Sequence, residues 1–238
     1  MHGINRLVSG IGTCALGSLL ALTASVPAQA ATPPYPTRAP IAEYMMASPA
    51  AEIALARSAA PPSISAHAEI LVLRPHGYST AVKGTNGFAC LVERAWDAEL
   101  GNPIFWNPHV RGPDCLNPAA ARSVLPHLLE RTRWALAGLS IDQMRERTKA
   151  ELAAKTYVMP EPGAMAFMLS KQQFLSDDGT HHWHPHLMFF VAGTADEDAG
   201  ANLPGSPVLH AYPSTPDRVS IFLVPVGKWS DGTPAEMK

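Results

Sequence analysis

The middle of the chain reads NPAAARSVLPHLLERTRWALAGLSIDQMRERTKAELAA, residues 117–154, and this stretch decides the fold class. Asn117 followed by Pro118 is typical of a helix start, because asparagine caps the first amides and proline fits the first helical position. We expect a bend at Pro126, which has no N–H to donate to the preceding turn. Gly138 then predicts the end of this first helix.

A second helix follows directly. Ser140 and Gln143 have the spacing of a capping box, in which each side chain satisfies the other residue's backbone amide. Beyond it, apolar or small side chains recur at helical spacing and form a narrow stripe. The stripe consists of Ile141, Met144, Thr148 and Leu152. Residues 117–154 therefore predict a helical pair.

Segments with β character lie on both sides of this pair. The candidate strands are 69–74, 78–83, 88–94, 164–170, 187–192, 207–212 and 218–226. Strands before and after a central helical pair favour an α+β domain. We expect an antiparallel or mixed sheet with the helical pair (about 117–154) packed on one face. Leu187–Val191 and Ile221–Val224 lack alternation, so both faces of these strands are expected to be buried.

Turn chemistry predicts one local pairing. Gly84-Thr-Asn-Gly87 separates the second and third candidate strands, and Asn-Gly between two β-rich runs is a strong hairpin signal. The segment 101–116 contains three prolines and is predicted to be a long irregular loop. Trp106 of this loop either forms a wall of a binding cleft together with Trp183, or packs on the core with the loop's other aromatic side chains.

The N-terminus has the features of a secretory signal. Arg6 precedes the apolar stretch 7–26, and Ala28-Gln29-Ala30 matches an A-x-A cleavage site. We expect residues 1–30 to be a signal peptide, with a membrane anchor as the alternative, and the mature protein to be periplasmic or secreted.

The remaining chain divides by composition. Residues 31–62 are rich in proline and alanine and predict an extended, mobile leader and a loose helix that begins at Ser48-Pro49. Residues 63–230 are expected to form a single α+β domain and 231–238 a tail. No later segment has the 18 or so apolar residues of a membrane span, so no integral membrane segment is expected after cleavage.

Charge and cysteine content narrow the function classes. The formal net charge is −2, with no run of basic residues, which argues against nucleic acid as a partner. Cys14 lies within the signal, which leaves Cys90 and Cys115. Two cysteines in an oxidising compartment predict one disulfide, worth about 3 kcal/mol in the chain-entropy model. The alternative is a pair of metal-ligating thiols.

Four of the ten histidines fall in His-His-Trp-His-Pro-His, residues 181–186. Neutral imidazole is the commonest metal ligand in proteins. Residues two apart in a strand point the same way, so His182, His184 and His186 are the candidate ligands. In a straight strand the outer two would lie roughly 13 Å apart. Two histidines with a ligand from elsewhere are therefore expected, unless the chain bends at Pro185.

Candidates for the third ligand are His109, His210, Glu93 and His76. The cluster predicts a divalent metal (zinc, iron, manganese or copper), with a small organic molecule reaching it past Trp106 and Trp183. An open coordination position would activate water, as in metal-dependent enzymes. The candidate catalytic carboxylates are Glu93 and Asp178. Nearby methionines at 165, 168 and 188 suit copper, although methionines inside apolar runs more often pack in the core.

Two other interpretations remain open. The histidines are equally compatible with a structural role at a strand entrance, hydrogen-bonded to carbonyls. In that case the protein is a non-enzymatic module that binds a ligand or partner. The third interpretation is a copper-binding protein.

Overall fold

The computed structural model describes residues 34–177, 183–193, 199–211 and 216–236. The chain from Pro33 onward forms one compact unit. Its strands are β1 (Glu69–Arg74), β2 (Gly77–Val82), β3 (Ala89–Glu93), β4 (Gly112–Leu116), β5 (Met165–Met168), β6 (His186–Ala192), β7 (Leu209–Ala211) and β8 (Val219–Pro225). Its helices are α1 (Ile41–Tyr44), α2 (Pro49–Arg57), α3 (Pro62–Ser65), α4 (Pro118–Ser123), α5 (Leu125–Leu136) and α6 (Ile141–Ala154), with a short 3₁₀ helix at Ala95–Asp97.

The eight strands form one sheet in the order β2-β1-β3-β4-β5-β6-β8-β7. β1 and β3 are parallel, and the other neighbouring pairs are antiparallel. A mixed sheet with packed helices confirms the predicted α+β class.

The helical pair begins where the sequence predicted. The Asn117 side chain accepts a hydrogen bond from the Ala120 amide at 2.9 Å. The chain breaks at Val124, so the first predicted helix becomes α4 and α5, with Pro126 in the first turn of α5. Ser140 and Gln143 cap α6 reciprocally, as expected from the sequence.

We call one side of the sheet the cavity face, defined by Leu91, Leu116, Met188 and Phe190, which belong to one buried cluster. The helices α4 and α5 pack on it through Val124 and Leu125, among others. The strands β6 and β8 are less covered than predicted. Along β6 the buried residues alternate with half-buried ones, because the helices cover only the cavity face here.

The opposite face is covered by α2, which the sequence predicted to be loose. Leu55 and Ala56 of α2 are buried in a cluster with Ile70, Cys90 and Cys115. The small side chains of this helix permit close approach to the sheet, so low hydrophobicity did not mean loose packing. The helix is also fixed by an ion pair between Glu52 and the buried Arg94, at 2.8 Å.

The segment before α2 is likewise attached, in contrast to the mobile leader that was predicted. Tyr44 is fully buried, and its hydroxyl donates to the Trp106 carbonyl at 2.8 Å. Arg38 donates to the carbonyls of Ala135 and Leu136 at the end of α5. The Ala135 carbonyl also accepts the Gly138 amide at 3.1 Å. Carbonyls in the last turn of a helix lack their usual amide partner four residues on, and a cation is favoured there.

The predicted hairpin at Gly84–Gly87 is wrong. β2 pairs with β1, and β3 lies on the other side of β1, so β2 and β3 are not neighbours. Residues 84–87 instead carry the chain around the start of β1, where a Cβ on Gly84 would come within 2.2 Å of the Glu69 nitrogen. The Asn-Gly signal marked a turn, but the partner strand was chosen by long-range packing.

β4 was missed, because Gly112-Pro113-Asp114 reads as loop. Pro113 is tolerated because β5 pairs with β4 only at Cys115 and Leu116, so no neighbour requires an N–H from Pro113 on that side. Cys115 lies directly opposite Cys90 of β3, and the two form the predicted disulfide.

None of the described helices has the length and apolarity needed to cross a membrane. The predicted signal peptide, residues 1–30, lies outside the described residues.

Candidate ligand cavity

A cavity of about 400 Å³ lies against the cavity face, between the sheet, α5 and the 3₁₀ helix. Ligand sites in proteins have volumes of this order and are mostly apolar, with a few polar groups. The apolar lining includes Ile104, Val110, Leu128, Met168, Met188, Phe190, Ile221 and Leu223. The titratable lining residues are Glu93, Arg94, Asp97 and His186.

Strand register places the side chains of Glu93, Asp114 and His186 on one face of the sheet. Glu93 ends β3, two residues after Leu91, which pairs with Asp114 of β4. His186 begins β6 and pairs with Met168 of β5. Because paired residues share a face and alternate residues repeat it, the side chains of Glu93, Asp114 and His186 all belong to the cavity face.

Glu93 and Asp114 form a carboxyl pair. Asp114 is fully buried. Its carboxylate interacts with the Glu93 carboxyl and with the Cys115 backbone amide. Burial raises the pKa of Asp114 to about 7, opposed by these two interactions. Burial, and then the neighbouring negative charge of Asp114, raise the pKa of Glu93 well above its usual range. The pair therefore shares a proton.

Asp97 lies close to this pair, at the end of the 3₁₀ helix. One carboxylate oxygen accepts the Arg94 backbone N–H at 3.0 Å. The other oxygen is buried and has no hydrogen-bond partner among the described residues. Burial raises the pKa of Asp97 to about 7, while the Arg94 amide and the charges of Arg131 and Arg94 oppose this. Asp97, which lines the cavity, thus has one buried carboxylate oxygen without a donor among the described residues.

His186 is held in a fixed orientation. Its Nδ1 lies 2.8 Å from the His184 carbonyl oxygen, and the Trp183 ring is 4.6 Å away, centroid to centroid. A carbonyl can only accept, so Nδ1 carries the proton and donates, and Nε2 keeps its lone pair. Burial lowers the pKa of His186 to about 4. The ring is therefore neutral at physiological pH.

A second, smaller cavity of about 70 Å³ adjoins the first and shares Asp97, Leu128, Phe190 and Ile221 as lining. The charged side chains of Arg131 and Asp217, which line this smaller cavity, already have partners. Arg131 lies 3.6 Å from Asp217, whose carboxylate also accepts the Tyr157 hydroxyl at 3.2 Å. Arg131 therefore has a carboxylate partner of its own.

The predicted metal ligands are not brought together in the part that the structure describes. His182 lies outside the described residues, as does the catalytic candidate Asp178. His210 pairs with Phe222, which pairs with Phe189, and this places it on the opposite face from His186. The sheet itself separates these two histidines.

The other third-ligand candidates lie in different surroundings. His109 is mostly exposed, with its Nδ1 3.9 Å from an Asp177 oxygen. His76 is exposed at the turn between β1 and β2. Over 34–177, 183–193, 199–211 and 216–236, no three His, Cys, Asp or Glu side chains are arranged to hold a metal ion. With His182 undescribed, the metal site stays a prediction.

The aromatic loop contributes less to the cavity than one interpretation proposed. Trp106 is buried in an aromatic cluster with Phe105, whose ring centroid lies 4.8 Å away, and Tyr44. Ile104 and Val110 supply this loop's part of the cavity lining. Trp183, the other proposed wall residue, does line the cavity.

Two of the functional candidates were missed from sequence, Asp97 and Asp114. Asp114 was hidden because its strand was read as loop. Asp97 lies four residues after Glu93 and directly after Trp96, which is fully buried. An acidic residue next to a tryptophan and close to a strand end was a signal that could have indicated a partly enclosed carboxylate.

Comparison of the chain with models of protein families, with curated proteins and with solved structures gave no match.

Proposed function

We propose that this protein binds a small, largely apolar organic molecule in the cavity between the sheet and α5. The observation that carries the proposal is the cavity of about 400 Å³ itself. Ligand sites in proteins are clefts or cavities of this order of volume, which cover most of the surface of a small organic ligand.

The lining supports binding of an organic molecule. Apolar side chains from four strands surround the space, and the few polar groups converge at one end, near Glu93 and Asp97. This combination is typical of ligand sites, in which apolar area provides affinity and a few polar groups fix orientation. The protein is proposed to act in the periplasm or outside the cell. The disulfide fits such an oxidising compartment.

Fluorescence titration with N-phenyl-1-naphthylamine, a neutral apolar probe, tests the proposal. Leu223→Trp puts an indole into the cavity, whereas Val224→Trp is a matched control, because the next residue of β8 points to the opposite face. We expect saturable one-to-one binding by the wild type and by V224W. L223W, verified as folded by circular dichroism, should bind at least about tenfold more weakly. Absence of saturable binding by the wild type, or unchanged affinity in folded L223W, would refute the proposal.

Metal binding through the histidine cluster is the second candidate, and the hydrogen bond of His186 favours it. A metal-ligating histidine commonly donates its other ring N–H to a carbonyl or carboxylate, as His186 Nδ1 does to His184. The test is the zinc, iron, manganese and copper content of protein purified without a His tag. Loss of a bound ion in H182A/H184A but not in H76A supports the site. A wild type without metal contradicts it.

A further inference from the structure

The polar end of the cavity holds more negative groups than positive ones. Glu93 and Asp97 line it directly, and Asp114 lies behind Glu93, fully buried. A buried carboxylate is stable when a cation or several hydrogen-bond donors compensate it. One oxygen of Asp97 lacks such a donor among the described residues, whereas Asp114 has the Glu93 carboxyl and the Cys115 amide beside it.

The two nearest arginines are engaged elsewhere. Arg94 is fully buried, and its guanidinium donates to the Glu52 carboxylate at 2.8 Å, to the Tyr44 carbonyl at 2.8 Å and to the Val92 carbonyl. These contacts direct it toward α2. Arg131 donates to the Ala98 carbonyl at 3.2 Å and pairs with Asp217. The carboxyl cluster at the cavity end therefore has no cation dedicated to it within the described chain.

We propose, resting on the proposed function, that the ligand is a hydrophobic amine, whose ammonium group lies against Glu93 and Asp97 while its apolar body fills the cavity. An ammonium group supplies the two features that the carboxyl cluster lacks, which are a positive charge and several N–H donors. The neutral His186 ring does not compete for this role. Trp183, at the same cavity, offers an aromatic face of the kind to which cations are attracted.

The raised pKa values of Asp97 and Asp114 agree with this reading, since burial is the largest cause of both and, at Asp97, outweighs the opposing charges of Arg131 and Arg94. The negative charge of these acidic side chains is also expected to exclude anionic ligands. Glu93 and Asp114 share a proton, but the pair still carries a negative charge. A carboxylate would enter a low-dielectric space beside this charge and Asp97, where like charges repel strongly. Fatty acids and other apolar acids are therefore expected to be rejected.

Three ligands that share a naphthalene ring and differ in the charge of their polar group test whether the site prefers an amine. They are 1-naphthylmethylamine, 1-naphthylmethanol and 1-naphthaleneacetate. They are compared by displacement of N-phenyl-1-naphthylamine at neutral pH. We expect the amine to displace the probe at a concentration at least about tenfold lower than the alcohol, and the acid to be the weakest. If the probe binds but the alcohol competes as well as the amine, the inference fails and the proposed function stands. If the probe does not bind at all, the proposed function fails first.

Substitutions test whether Glu93 and Asp97 cause the preference for the amine over the alcohol. The double variant E93Q/D97N keeps the shape of both side chains and removes their charge, and E146Q is the control at an exposed glutamate of α6. In E93Q/D97N the amine and the alcohol should compete equally, whereas E146Q should keep the wild-type ratio. An unchanged amine preference in folded E93Q/D97N would overturn the assignment of the ammonium to this cluster.

Discussion

The most specific expectation for the fold concerns Glu52, which joins α2 to the sheet. Its carboxylate lies 2.8 Å from Arg94 Nη2 and also accepts the Leu73 amide at 3.2 Å. Both side chains of the ion pair are at most 4 % exposed. The change Glu52→Ala removes the carboxylate and leaves the guanidinium buried with backbone carbonyls as its remaining acceptors.

Breaking a buried pair by removing one partner costs about 3–5 kcal/mol, because the other charge stays uncompensated. A matched control is Glu161→Ala. Glu161 is also ion-paired, with Arg122 at 2.6 Å, but the two side chains are 40 % and 62 % exposed. Exposed pairs contribute about 0–1 kcal/mol. The two variants thus differ chiefly in the burial of the pair.

Urea denaturation monitored by circular dichroism measures both free energies of unfolding. E52A is expected to lose about 3 kcal/mol or more and E161A less than about 1 kcal/mol. In thermal unfolding, E52A should melt on the order of 10 °C lower, at about 2–4 °C per kcal/mol for a chain of this size. If E52A proves no less stable than E161A, the pair does not anchor α2, and the packing of this helix has been misjudged.

Two further predictions concern the cavity carboxyls and the chain crossing. Raised folded-state pKa values mean that the folded protein holds protons that the unfolded chain releases above about pH 4, so stability should fall as pH rises toward 7 and beyond. For Asp114, whose pKa is raised from 3.8 to about 7, the expected loss of stability between pH 5 and 8 is on the order of 2–3 kcal/mol. Urea midpoints should show this loss in the wild type and less of it in D114N, and a flat wild-type profile contradicts it. Gly84→Ala should destabilise by about 2 kcal/mol or more, because a Cβ there meets backbone at 2.2 Å. Gly227→Ala, where a Cβ meets nothing within 4 Å, should be tolerated, and equal unfolding midpoints for the two variants would argue for the hairpin instead of the crossing.

Several features were predictable because their cause lies within a few residues. The caps at Asn117 and Ser140 are hydrogen bonds to amides three residues away, so the sequence there already contains both partners. The break near Pro126 follows from a missing N–H in the same segment. The disulfide was predictable because only two cysteines, Cys90 and Cys115, lie outside the predicted signal peptide, so no other pairing competed.

Other features depended on partners far along the chain. Asn86-Gly87 indicates a turn, but it cannot say which strand lies beside the chain that follows. Gly112-Pro113-Asp114 lacks β propensity and becomes a strand because β3 on one side supplies a long ladder. The loose appearance of α2 was misleading since its fit depends on the sheet surface beneath it.

By itself the sequence determined the class of the fold and the starts of its central helices, because caps, breaks and apolar periodicity are local properties of neighbouring residues. Only the tertiary structure decided that Glu93 and Asp97 line one cavity, with Asp114 buried beside Glu93, while His210 lies on the other side of the sheet. Strand order and register fix which side chains share a face, and both are set by the packing of the whole chain.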